Sequence, residues 1–261
     1  MMMISARLRA KQPLFKFNDR VGRIIISCAA SCILMPSLSM NGQADDTYKK
    51  TVQDGIVFEA RSDVSEQAVM RAQYIVKQML TNLPEIQEEM QRNNFKVALI
   101  ARSQVLSDLP EYAYLKGKKT RDGRDFDQGT RGLGGKGVCS IGEENLLCLR
   151  KQKYWQEDIL VHEFSHSIKA YLDKKLVDSI EKTYQNAVGN GLYRKEIYMM
   201  ANSDEYWAEG TQAWFDVTNR SDVNDGFNTA EKLKTHDPEL ASILEQVYGS
   251  AHINHVPGCS Y

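Results

Sequence analysis

Val161-His162-Glu163-Phe164-Ser165-His166 reads H-E-x-x-H, and its neighbours place it on a helix. Tyr154 to Val161 leads in and Ser167 to Leu172 follows, with no proline or glycine between. Residues four apart lie one above the other on a helix face, so His162 and His166 can offer two imidazole nitrogens to one ion. Glu163 stands at the edge of that face. Ile159, Leu160, Val161, Phe164 and Ile168 cover the remaining sides, which predicts a largely buried helix. Imidazole suits zinc, and the spacing is a zinc-hydrolase signature. The competing reading is plainer: two core histidines hydrogen-bonded to their neighbours.

The rest of the 261-residue chain sets limits on that reading. A formal net charge of −1 gives no reason to invoke nucleic acid or an anionic membrane surface as partner. The N-terminus has the layout of a secretory signal. Arg7, Arg9, Lys11, Lys16, Arg20 and Arg23 form a basic lead, and Ile24 to Met35 is an apolar run below bilayer-spanning length. Residues 1–44 are therefore expected to be removed shortly after Gln43-Ala44, for secretion or periplasmic export and with no stable membrane partner afterwards. An uncleaved anchor is the alternative.

Export would leave Cys139, Cys148 and Cys259 in an oxidising compartment. Cys139 and Cys148 flank a short loop that one bridge would close, with Cys259 left over. Three unpaired thiols are the alternative, since spacing does not settle connectivity. Residues 45–261 read as one catalytic domain, with an α/β part at about 54–150 and a mainly helical part at about 154–250.

Within the α/β part, Asp45 to Gln53 reads as a polar lead and Gly55 to Ala60 as a strand. Asp63 with Glu66 reads as a capping pair opening a helix through Leu80, and Pro84 opens a second helix toward Asn93. Phe95 to Ala101 is the clearest strand. The basic run from Lys116 to Arg124 reads as a solvated loop. Arg131-Gly132-Leu133-Gly134-Gly135-Lys136-Gly137 lacks the Lys-Ser/Thr of a P-loop, so its glycines are expected to shape a loop beside the site. Leu146 to Leu149 is expected as an edge strand. Helices are expected over Lys175 to Ala187, Asp204 to Val217 (capped by Asn202 or Ser203), Ala230 to Lys234 and Pro238 to Tyr248.

A catalytic zinc keeps three protein ligands and one open position. Glu205-Tyr206-Trp207-Ala208-Glu209 is the best place for the third, with two carboxylates again four apart. One can bind the ion while the other supports the free ring nitrogen of a ligating histidine. HEFSH followed by E-Y-W-A-E resembles the gluzincin pattern of zinc peptidases, most closely the catalytic domain of the anthrax lethal factor family. That resemblance implies Glu205 as third ligand and Glu209 as support behind the histidines. It also implies Tyr198, seven residues before Glu205, as the hydroxyl that binds the oxyanion. No G-x-x-H follows His166, which removes the metzincin pattern.

The fold so implied is α+β and zincin-like: a small mixed sheet, an active-site helix and a helical C-terminal half. The chemistry implied is hydrolysis of a peptide or protein substrate with one Zn²⁺ per chain and Glu163 as general base. Two alternatives stay open: an amidohydrolase of cell-wall or other non-protein amides, and a non-catalytic zinc-binding module. Oligomeric state is not legible.

Overall fold

The computed structural model describes residues 48–120, 123–150, 152–254 and 259; the expected signal segment lies outside them. Strands β1 (Tyr48–Gln53) and β2 (Ile56–Arg61) form an antiparallel hairpin. The expected polar lead is therefore mostly an edge strand. Its turn is Asp54-Gly55 with φ of 50° and 79°, positive at both central residues as a tight hairpin requires. The Asp54 carbonyl accepts from the side chains of Gln87 and Gln91, so the turn is anchored as well as twisted correctly.

The chain then crosses through α1 (Glu66–Leu80) and α2 (Pro84–Arg92) to β3 (Lys96–Ile100), which pairs parallel to β2. Ser65, not Asp63, caps α1, because its side chain accepts from Gln67 N while Asp63 is engaged by Arg61. Beyond β3, 3₁₀ turns at Leu106–Asp108 and Pro110–Leu115 lead to a short α3 (Phe126–Gly129). Two-residue β4 (Gly132–Leu133) follows, then β5 (Val138–Gly142) and α4 (Glu143–Leu146). The sheet order is β1-β2-β3-β5-β4, with β5 parallel to β3 and β4 antiparallel at the edge. The expected strand at Leu146–Leu149 is not one: the last strand lies earlier, at β5, and Leu146 closes α4.

Alternation along β3 divides the interior into two layers. Val97 and Leu99 join the main core under the helices, whereas Ala98 and Ile100 face a smaller cluster with Leu106, Leu109 and Tyr112. The C-terminal half holds α5 (Ile159–Lys169), α6 (Lys174–Gly189), α7 (Ser203–Trp214), α8 (Ala230–His236) and α9 (Pro238–Tyr248). Helix α5 lies between the β4–β5 edge and α7. Trp207 and Trp214 are core residues, as their size predicts. No helix among the described residues is long and apolar enough to cross a membrane.

The disulfide joins Cys148 to Cys259, with Cα atoms 4.9 Å apart, and Cys139 is a buried free thiol. The expected Cys139–Cys148 bridge is thus replaced. Cys139 sits on β5 with no exposed surface, and α4 carries the chain away from it, whereas Cys148 follows α4 and meets the C-terminal tail.

Candidate metal centre

Helix α5 starts with Asp158, whose carboxylate accepts from Val161 N, and Arg71 pairs with that same buried side chain at 3.4 Å. This fixes the turn that begins the H-E-x-x-H helix. Helix α7 starts with Asn202, whose Oδ1 accepts from Asp204 N at 2.8 Å and Glu205 N at 3.0 Å. Trp207 Nε1 donates across to the Ser165 carbonyl at 3.1 Å, locking the two helices face to face.

The crossing brings three donors together. His162 Nε2 lies 3.1 Å from Glu205 Oε2 and 3.2 Å from His166 Nε2, and His166 Nε2 lies 3.6 Å from Glu205 Oε2. Tetrahedral ligands about 2.0–2.1 Å from a zinc ion stand about 3.3 Å from one another, so the trio has the span such an ion needs. His162 is buried and the other two are half-buried, which leaves the open side toward the cleft.

Electrostatics match the donor set. Burial pulls His162 down, but its hydrogen bond to Glu205 and the charges of Glu163 and Glu209 outweigh that and hold it up to about 10. Burial also works against the Glu205 carboxylate, yet the two imidazoles hold it far below the usual carboxylate range. The pocket therefore favours positive charge at the point where the three ligand atoms converge, the charge a divalent cation carries.

Glu163 lies against the glycine-rich edge. Its Oε2 accepts from Gly134 N at 2.8 Å. A Cβ on Gly134 would stand 1.9 Å from the Glu163 carbonyl oxygen, and one on Gly132 would stand 2.8 Å from Glu163 Cγ and Ile159 Cγ2. Only glycine allows this approach, so the glycine run does shape the wall beside the site. Burial raises the Glu163 carboxyl, with His162 and His166 opposing.

Tyr198, 37% exposed, stacks on His162 with ring centroids 6.2 Å apart. Burial and the carboxylates of Glu205 and Glu163 hold its phenol well above the ordinary value, so the hydroxyl remains a donor. Behind His162, Nδ1 faces Glu209 Oε1 at 3.5 Å and Gln212 Oε1 at 3.4 Å. Burial pushes Glu209 up to about 8, against the pull of His162 and Arg220. Gln212 also donates to the Asp158 carbonyl at 2.9 Å. Sequence reading passed over Gln212, although Glu205, Glu209 and Gln212 recur at i, i+4 and i+7 on one face of α7.

The three donors, Glu163, Tyr198 and Glu209 line a cleft of about 1240 Å³ together with Gly129, Leu133 and Tyr154. Among the described residues, His236 and His252 do not line the cleft, and His255 lies outside them. His236 stacks on Phe227 and bonds the Leu192 carbonyl, and His252 is exposed. Asp216 accepts from Ala230 N at the start of α8 and is not among the residues that line the cleft.

No family model matches the sequence, and none of the curated proteins does. Fifteen chains of known structure do match. One is a Pro-Pro endopeptidase from Paenibacillus alvei, 17% identical, with a TM-score of 0.50 over 73% of this chain and 96% of that one. The likeness establishes the fold. It is the α+β, zincin-like arrangement expected from the sequence, with a five-stranded mixed sheet and a helical C-terminal half.

Proposed function

We propose that the protein is an exported zinc-dependent peptidase. The observation that carries this is the convergence of His162, His166 and Glu205 in one cleft that Glu163 and Tyr198 also line. The fold likeness to an endopeptidase supports it, as does the resemblance of HEFSH and E-Y-W-A-E to the gluzincin pattern. The Cys148–Cys259 disulfide fits an oxidising compartment and so supports export.

A zinc ion held by the three side chains would supply Lewis-acid polarisation of the scissile carbonyl and acidify a water toward a pKa of about 7. Glu163 takes the proton from the attacking water and passes it to the leaving amine. Its Oε2 is fixed by Gly134 N, which leaves the other oxygen for that transfer. The Tyr198 hydroxyl donates to the oxygen that gains charge in the tetrahedral state. Glu209 and Gln212 hold the Nδ1 side of His162, so Nε2 is the nitrogen that would be left to hold a metal ion.

The test compares purified wild type with Glu163→Ala on a peptide mixture that includes Pro-Pro sequences, reading new termini by mass spectrometry. Cleavage by wild type alone is expected. No cleavage by either protein with zinc bound in both would shift the reading to a non-protein amide or a silent scaffold.

A further inference from the structure

We infer that Lys169 is a positioning residue for the third metal ligand: it ties the last turn of α5 to the first turn of α7 and so sets where Glu205 stands. The inference rests on the zinc reading above. Lys169 is only 9% exposed and lies three residues after His166, on the same side of α5. Its ammonium donates to Asp204 Oδ1 at 2.7 Å and to the Ser203 carbonyl at 3.2 Å. Glu205 is the next residue.

Helix α6 joins the same junction. The Ser203 hydroxyl, with Gln185 and then Lys169, holds the Glu181 carboxyl below its ordinary value. One buried ammonium thus touches the point where three helices meet.

A cation at the start of a helix faces the positive end of the helix dipole, the less favourable end for it. Asp204 offsets that charge, and the pair fixes a distance between two helices that each carry metal ligands. Asn202 holds Glu205 along α7, but it does not tie α7 to α5. Trp207 ties the helices further along, at Ser165. Apart from the contacts of the histidines with Glu205 itself, Lys169 is the polar link between the two helices nearest to the ligand in sequence. Its methylene stem fills the buried space, so a methionine can occupy that space without the charge. Asp204 is 65% exposed and stays hydrated when its partner goes, so the substitution strands no buried charge.

The experiment measures zinc affinity of the full-length protein by competition with a chromophoric chelator, and melting of the chelator-stripped protein alongside. Lys169→Met is expected to weaken zinc binding about 10–100-fold, the range typical of supporting groups around metal ligands. Lys169→Arg, which keeps the donors and charge, is expected to restore affinity to within threefold. Asp204→Asn is expected to weaken binding at least fivefold and to lower metal-free melting, because the buried Lys169 ammonium loses its counter-charge, and it decides the matter if Lys169→Met does not fold. Zinc affinity within twofold of wild type in Lys169→Met, or in Asp204→Asn where that variant decides, overturns the inference while leaving the zinc reading intact. Absence of zinc binding by the wild type overturns both.

Discussion

At the residue scale the site depends on where protons are held. Glu163 is fixed by one oxygen to a backbone amide, so its replacement would remove the proposed base without removing any of the three donor atoms. Glu163→Ala should keep zinc, measured by metal analysis, and lose roughly 10²–10⁴-fold in turnover, the usual contribution of a positioned base. Turnover close to wild type would show that another group takes the proton. His162 gives a second expectation. Its neighbours hold its proton up to about pH 10, above the ordinary imidazole range. A metal must displace that proton, so apparent zinc affinity should rise with pH from 6.5 to 8.5, on the order of tenfold per unit. Glu205 is ionised throughout that window, because the imidazoles hold its carboxyl far below it, and adds no slope. Chelator competition at three pH values reads the trend; a flat profile would mean that His162 is already neutral.

At the element scale the edge strand β4 and helix α5 are the pair to test. Gly134 approaches α5 so closely that a methyl group would overlap the Glu163 carbonyl. Gly134→Ala must push the segment that follows β4 away from α5 and break the hydrogen bond from its amide to Glu163. We expect turnover to fall at least tenfold, consistent with the sensitivity of catalysis to displacements of about 1 Å, while metal content is kept. Near-normal turnover with metal bound would show that the amide does not position the base. Such contacts also mark what the sequence could reveal. H-E-x-x-H, the E-Y-W-A-E helix and the Asn202 cap of the latter were legible because they depend on helical spacing alone, whereas the Asp158 cap of α5 was not read. Gln212 follows the same spacing but lacks the charge that draws attention. The β1 strand was hidden by a polar sequence with both faces exposed, although Asp54-Gly55 is a hairpin turn signal. The approach of Gly134 to α5 joins segments far apart in sequence and shows only once the fold is built.

At the scale of the whole molecule, the bridge between Cys148 and Cys259 links residues 111 apart and holds the tail against the body. Asn254 N donates to the Tyr74 hydroxyl and Ile253 is buried, so the tail also lies along α1 by its own contacts. Local spacing pointed instead to Cys139 and Cys148, because closing a short loop is the simplest reading of two nearby cysteines. The sheet decides otherwise by burying Cys139 on β5. Burial also raises that thiol well above its ordinary value, so it is a poor nucleophile while the protein is folded. A bridge over so long a segment restricts the unfolded chain strongly, and removing one of this kind costs about 2–5 kcal/mol. Cys259→Ser should therefore lower the urea midpoint clearly, and reductant should do the same to wild type. In Cys139→Ala the midpoint under oxidising conditions should stay well above that of Cys259→Ser, because the bridge is intact and only one buried sulfur is lost. If the wild-type midpoint is the same with and without reductant, the bridge makes no measurable contribution, and its support for an exported protein goes with it.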